Sequence, residues 1–307
     1  MPYRIRPDRP LLAEVQTVAR RELVKAIETL DARPEGLHEA IHAARKVFKR
    51  LRNLYRLVAR GDKDFRRREN ARLRKAGRSL SSIRDATALI ETVEHLSVHA
   101  LTDDEAETLA AAREVLALRR DDIAERERDL EAKVADVVAE CRAAAAALDA
   151  LSLPSKAGHA ARLVARGWRK GLDEAHEALE TCKGESHGEA FHDLRKASQA
   201  YWMNLSLLRD LWPSAFDAKR QDAKRLVDLL GHEHDLTVLT TLLDHEPETF
   251  GDGEGQSFLL AIIIRRQMDL RREALALAER VFADPAKSEA GIIETLWMRA
   301  AIQRRTG

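Results

Sequence analysis

A stripe of basic side chains is the part of this sequence whose residue types and spacing could do chemistry. On a helix from about Leu37 to Ala59, six residues recur at i, i+3, i+4 and i+7 spacing and share one face: His42, Arg45, Lys46, Lys49, Asn53 and Arg56. Arg50 and Arg52 flank this stripe. Like charges three and four residues apart repel each other in a helix. The stripe therefore predicts an external anion, or acidic neighbours, that compensates it.

The segment after the stripe is basic as well. Between His42 and Asp85 the sequence contains 16 Lys and Arg residues and four Asp and Glu residues. Further candidates for anion contacts in this segment are Arg74, Lys75, Arg78 and Arg84. The whole chain has 52 Lys and Arg against 51 Asp and Glu, so the balancing acids lie elsewhere. This segregation predicts a concentrated positive surface on a nearly neutral protein.

The residue types favour a ligand made only of phosphate. Arginine offers a planar pair of donors to phosphate oxygens, and lysine acts as a mobile point charge. Nucleobases would need aromatic stacking partners, but Phe, Trp and Tyr make up only 5% of the chain. Two alternatives stay open: basic helix faces are often merely solvated, and the same patch could bind the backbone of RNA or DNA.

The elements that must position the stripe are helices. Apolar residues recur at helical spacing along one face of the same segment: Ile41, Ala44, Phe48, Leu51, Tyr55 and Val58. No useful length of sequence alternates with period two, so we predict an all-α fold. The segment Asp103–Leu151 reads as one very long helical stretch. A continuous coiled coil is one interpretation, and a bundle helix bent or broken near Arg119–Asp122 is the preferred one.

Two motifs recur at the same offset of 150 residues. His42-Ala-Ala-Arg45-Lys46 returns as His192-Asp-Leu-Arg195-Lys196, and Arg84-Asp85 aligns with His234-Asp235. Because both pairs keep one register, we predict an internal duplication. The predicted units are residues 1–152 and 153–307, each a helical bundle.

Neither a metal site nor a catalytic centre is predicted. His38 and His42 stand at i, i+4, and His187 is close to His192, but no carboxylate or cysteine completes a set at ligand spacing. The sequence also lacks a Walker loop, a metal-binding carboxylate cluster and a convincing catalytic triad. We therefore expect a protein that is not an enzyme and needs no cofactor.

Cysteine use and hydropathy predict a cytoplasmic protein. The only cysteines are Cys141 and Cys182, which form no CxxC pair. The N-terminus has no signal-like apolar run, and no apolar run is long enough to span a membrane.

The motifs resemble the CHAD family, the conserved histidine α-helical domain. Its pattern is a His-x-x-Arg start, a basic run ending in Arg-Leu-Arg, and a later Arg-Asp segment, in a duplicated unit; the run from His42 to Arg52 and the pair Arg84-Asp85 match it. The resemblance implies two antiparallel four-helix bundles related by a pseudo-twofold axis. It also implies a basic cleft or pore between them that binds inorganic polyphosphate, and a location at polyphosphate granules.

The second half departs from this pattern. Three basic residues of the first half have uncharged counterparts: Gln199 for Lys49, Ala200 for Arg50 and Trp202 for Arg52. Between His192 and Asp235 there are seven Lys and Arg and seven Asp and Glu residues. The predicted contacts of this half are His192, Arg195, Lys196, Lys219, Lys224, Arg225 and His234. We therefore expect the first half to contribute more to binding.

Overall fold

The computed structural model describes residues 3–127, 129–184, 188–251 and 253–306. Within these ranges it contains eleven α-helices: α1 (Leu11–Ala32), α2 (Leu37–Leu57), α3 (Lys63–Ser79), α4 (Ser82–Ser97), α5 (Asp103–Arg126), α6 (Leu130–Ala147), α7 (Ala157–Gly184), α8 (Gly188–Leu207), α9 (Pro213–His245), α10 (Gly253–Val281) and α11 (Ala286–Thr306). The described residues include no β-strand. The predicted all-α class is confirmed.

Helix α2 carries the basic stripe and has nearly the predicted bounds. It ends at Leu57, two residues before the predicted end. Its predicted core face is buried throughout: Ile41, Ala44, Phe48, Leu51, Tyr55 and Val58. Because the apolar and basic residues occupy different faces, packing of the first leaves the second available for contacts.

The segment predicted as one long helix from Asp103 to Leu151 is two helices. Helix α5 ends at Arg126 and α6 begins at Leu130, so the continuous coiled coil is wrong and the expected break near Arg119–Asp122 was placed too early. Helix α5 packs against α4 and α10, whereas α6 packs against α1 and α3. The interruption lies where the chain passes from one apolar core to the other, which helical periodicity does not encode.

Two apolar cores hold the helices together. The larger core is formed by α1, α2, α3 and α6 together with α7, α8, α11 and parts of α9 and α10. The smaller core joins α4 and α5 to α9 and α10 through side chains such as Val93, Leu109, Leu239 and Ile263. Burying each such side chain contributes about 1.5–3 kcal/mol. Helix α9 takes part in both cores, and its residues between them face the site described below.

The position of α2 relative to α7 and α8 is fixed by close contacts. Asn53 of α2 donates from Nδ2 to Oδ1 of Asn204 in α8 at 2.8 Å, and both residues are buried. Helix α7 approaches the end of α2 through Gly167, where an added Cβ would lie 1.9 Å from the carbonyl oxygen of Leu57. A buried amide pair leaves unsatisfied groups if it shifts, so it holds the two helices in register.

The predicted duplication and the boundary at residues 152 and 153 stay predictions. The order of helices is compatible with them, since α2 and α8 carry the two copies of the His-x-x-Arg-Lys motif. The halves also differ: the single helix α9 follows α8, whereas the two helices α3 and α4 follow α2. A single 3₁₀ turn, Leu148–Ala150, follows α6, and the residues from Leu151 to Ser155, which have no regular secondary structure, connect it to α7.

Cys141 in α6 and Cys182 in α7 are buried and form no disulfide. Burial raises the pKa of both thiols to about 12, which disfavours the reactive thiolate. None of the described helices is both long and apolar enough to cross a bilayer.

Candidate functional site

Four helices border a cleft with a volume of about 530 Å³, called the basic cleft below. Its charged and histidine lining comes from α2, α4, α8 and α9: His42, Arg45, Lys46, Lys49, Arg84, Asp85, Glu91, Arg195, His234 and Asp235. Residues from both copies of the motif therefore face one cavity. The sequence had suggested a strong half and a weak half, and the family resemblance implied a basic cleft between them.

His42 and Arg84 are joined across the cleft wall. Nε of Arg84 donates to Nδ1 of His42 at 3.0 Å. The same guanidinium donates from Nη2 to Glu91 at 2.9 Å. Burial, with help from Lys46 and Arg84, lowers the pKa of His42, consistent with a neutral imidazole that accepts this bond. His42 therefore acts as an orienting acceptor for Arg84.

Arg45 is oriented by the first aspartate of the repeat. Its Nη2 lies 3.2 Å from Oδ1 of Asp85. Nη1 of Arg45 and Nη1 of Arg84 are buried, and neither has a hydrogen-bond partner among the described residues. Buried donors are usually satisfied. These two N–H groups can therefore serve an oxygen-rich ligand.

Lys49 lies among other cations. Burial lowers its pKa to about 8, and the charges of Arg195, Arg45 and Arg52 act in the same direction, while Asp235 opposes them. Its side chain still reaches solvent, because the surrounding atoms form the wall of an open cleft. Burial is the main cause of the lowered pKa, and the neighbouring guanidinium groups add to it.

Arg195 and Asp235 bring the second half into the cleft. Burial lowers the pKa of Arg195, whereas Asp235 and Glu233 raise it. Burial also raises the pKa of Asp235, against the influence of Arg195, His232, Arg84 and Lys49. Asp235 thus faces cations from both halves, so the cleft is a shared structure.

The second histidine of the repeat has a different neighbour from the first. The rings of His192 and His234 stack with centroids 4.6 Å apart and planes inclined by 28°. Burial and nearby Arg195 lower the pKa of His234 to about 4, and burial also lowers the pKa of His192. Both rings are therefore neutral near pH 7, so they contribute polar groups and no positive charge.

A second group of cations, the α3 face, adjoins the basic stripe. Arg74, Lys75 and Arg78 are exposed on α3. Arg66, which belongs to the basic segment but was not among the predicted contacts, is exposed there as well. Burial lowers the pKa of Arg52, and Arg74, Arg66 and Arg78 add to the effect. Nε of Arg52 donates to Asn70 of α3 at 2.8 Å. Arg52 therefore connects the stripe of α2 to the α3 face.

The remaining sequence-predicted site residues lie away from the basic cleft. Arg50 pairs with Glu22, Arg56 with Glu174 and Lys196 with Asp193. Lys219 pairs with Asp284 and Glu289, and Lys224 with Asp228. Arg225 is exposed on α9. Because carboxylates of the protein already pair with most of these Lys and Arg side chains, the side chains are less available to a ligand than their charge suggests.

Glu91 is a site residue that sequence reasoning missed. It follows Arg84 by seven residues, two helical turns, and so shares its face. This spacing was a usable signal, although carboxylates at such spacing are common. Among the described residues no group of three or more His, Cys, Asp and Glu could hold a metal, and His187, considered above with His192, lies outside them.

Fold and site together define a class: an all-α helical bundle with a basic cleft built from two motif-bearing helices. The CHAD domain model matches residues 18–244, well over half of the chain, so the protein belongs to the CHAD family. CHAD domains are generally binding domains, associated with polyphosphate and triphosphate. No curated protein sequence matches the chain.

Proposed function

We propose that this protein binds inorganic polyphosphate, without catalysing a reaction on it, in the basic cleft and along the adjoining α3 face. The convergence of two motif copies on one cavity carries the proposal. Five cationic side chains line the cleft, namely Arg45, Lys46, Lys49, Arg84 and Arg195, against three carboxylates, namely Asp85, Glu91 and Asp235. Phosphate oxygens would neutralise this excess and accept from the unpartnered N–H groups of Arg45 and Arg84.

The shape of the charged surface favours a chain over a compact anion. Lys49 in the cleft is influenced by Arg52, and Arg52 by Arg66, Arg74 and Arg78, so the cations form a continuous path. The part of α2 that lines the cleft, from His42 to Lys49, spans about 10 Å at 1.5 Å per residue, and the α3 face extends the path beyond it. A linear polyanion can contact this whole path and release counterions along it.

Binding without turnover fits the chemistry of the cleft and the general role of CHAD domains. The cleft supplies donors and positive charge, and Asp85 and Glu91 are occupied in orienting Arg45 and Arg84. The proposal includes a cytoplasmic location, for which cysteine use and hydropathy argue, and association with polyphosphate granules, which rests on the family resemblance.

Calorimetric titration with polyphosphates of defined length, at two salt concentrations, tests the proposal. Affinity should rise steeply with chain length and then level off once the path is filled. The log–log salt slope should grow and saturate at the same length. Tight binding of pyrophosphate with little salt dependence would instead indicate a compact pocket.

A competition experiment addresses the nucleic-acid alternative. Polyphosphate should displace a labelled single-stranded RNA of equal charge, because the described lining of the basic cleft includes no Phe, Tyr or Trp for base stacking. An RNA that resists displacement by excess polyphosphate would make nucleic acid the better ligand.

A further inference from the structure

A second cavity, of about 690 Å³, lies where the N-terminal segment and α1 meet α2, α8 and the start of α9. Arg50 lines this second cavity, whereas Lys49 lines the basic cleft. Successive helical residues point about 100° apart, so Lys49 and Arg50 lie on opposite sides of Asn53. Asn53 is bonded to Asn204 of α8. The contact between the two helices therefore separates the two cavities.

The second cavity has an excess of positive charge. Five Lys and Arg residues line it, namely Arg21, Lys25, Arg50, Arg209 and Arg220, against Glu22 and Glu28. Arg50 is held by the buried carboxylate of Glu22 at 3.4 Å. Arg209 is half-buried, and burial lowers its pKa. An anionic group is therefore favoured here too.

Aromatic side chains distinguish the second cavity from the basic cleft. Its lining includes Trp202, which is half-buried, and Tyr3. Trp202 stands where the first half has Arg52, so the duplicated motif supplies an aromatic plane here in place of a cation. Nζ of Lys224 lies 5.9 Å from the ring centroid of Trp202.

The walls of the second cavity are anchored. The hydroxyl of Tyr3 donates to the carbonyl oxygen of Arg50 at 2.8 Å. The amide of Ile5 donates to the carbonyl oxygen of Leu207 at 2.8 Å. These bonds attach the N-terminal segment to α2 and α8. The cavity is therefore shaped by the folded chain, and its size suits a small molecule.

We infer that the second cavity binds a nucleoside phosphate. The base would stack on Trp202, and the phosphates would contact Lys25 and Arg209, while Arg220 keeps its pair with Asp217. The exposed carboxylate of Glu28 can accept from sugar hydroxyls. The cavity thus offers an aromatic plane for a base, several cations for phosphates and a free carboxylate for a sugar. A bare phosphate chain would use only the cations.

Calorimetry with ADP, adenosine and tripolyphosphate tests this inference. ADP should bind the wild-type protein, and Lys25→Ala/Arg209→Ala and Trp202→Leu should each weaken it at least tenfold. The matched control Arg45→Ala/Lys49→Ala should bind ADP as the wild type does, while losing affinity for polyphosphate. If Trp202→Leu fails to fold by circular dichroism, the Lys25→Ala/Arg209→Ala variant decides, since Lys25 is exposed and Arg209 only half-buried.

Three results would overturn the inference: no ADP binding to the wild type, loss of ADP binding in Arg45→Ala/Lys49→Ala, or tripolyphosphate competing with ADP at equal affinity. The first leaves the polyphosphate proposal standing, because that rests on the separate titration of polyphosphate. The second would show that ADP binding depends on the basic cleft, so that the second cavity is not a separate site. The third would remove any role for Trp202.

Discussion

Arg84 donates from Nε to Nδ1 of His42 at 3.0 Å, which joins two parts of the motif that are 42 residues apart in the chain. A histidine that accepts at Nδ1 carries its proton on Nε2 when neutral. The imidazole thereby sets the orientation of a guanidinium that also contacts Glu91 and lines the basic cleft. The histidine of the motif is thus a positioning residue for an arginine that lines the basic cleft.

Removing this acceptor should weaken polyphosphate binding through Arg84. His42→Ala leaves Nε of Arg84 without its partner, and we expect a loss of roughly tenfold, within the range for one charge-assisted contact. His42→Asn keeps an oxygen acceptor near the position of Nδ1 and should lose less. Calorimetric dissociation constants of the two variants measure the difference. Equal losses would mean that the imidazole acts in some way other than by accepting from Arg84.

The second copy of the motif should contribute through its arginine and little through its lysine. Arg195 lines the basic cleft, whereas Lys196 pairs with Asp193 at 2.9 Å outside it. We expect Arg195→Ala to weaken polyphosphate binding by roughly 10- to 100-fold and Lys196→Ala by less than about threefold. Because Lys46 does line the cleft, Ala at Arg45 and Lys46 together should still cost more than Ala at Arg195 and Lys196. A larger loss for Lys196→Ala than for Arg195→Ala contradicts this geometry.

Binding should decrease as pH rises from 7 to 9. The pKa of Lys49 is about 8 in the free protein, so its ammonium loses its proton within this interval. A polyanion favours the charged form, hence the affinity is greatest below pH 8 and declines above it. Lys49→Arg keeps its charge throughout and should flatten the profile. An identical pH dependence in the two proteins would show that Lys49 does not contact the ligand.

Substitution of two glycines tests the packing that places α2. Gly167→Ala should destabilise the fold by roughly 3 kcal/mol, because the added Cβ would meet the Leu57 carbonyl oxygen at 1.9 Å. Gly231→Ala in α9 meets no atom within 4 Å and should stabilise the protein by about 0.5–1 kcal/mol. Urea denaturation followed by circular dichroism measures both. A neutral Gly167→Ala would contradict the close approach of α7 to α2.

The fold class and the basic stripe could be predicted because both follow from the spacing of apolar and basic residues along the chain. The face Ile41–Val58 and the basic residues of α2 follow a period of 3.6, so one helix with two faces was recoverable. The break between Arg126 and Leu130 could not be predicted, because it depends on α5 packing into one apolar core and α6 into the other. The partition of the cores among helices is a tertiary property.

The composition of the basic cleft was only partly predictable. The recurring motifs identified Arg45, Arg84, Arg195 and His234, because the constant offset of 150 residues between the motif copies can be read directly from the sequence. Charge counting also included Lys219, whose ammonium lies 2.6 Å from the buried Glu289 and is part of a structural network with Trp168 and Tyr201. Sequence shows how many charges a segment carries, and only packing shows which carboxylates neutralise them.

Comparing the polyphosphate affinity of two double variants tests the central claim that the basic cleft binds the chain. Arg45→Ala/Lys49→Ala removes two cleft cations, and Arg272→Ala/Lys287→Ala removes the same residue types from exposed positions outside the cleft lining. We expect the first to weaken binding by at least roughly 100-fold and the second by less than about threefold, with both variants folded. Equal losses would show that net charge alone determines binding, and an unchanged affinity of Arg45→Ala/Lys49→Ala would contradict the assignment of the cleft.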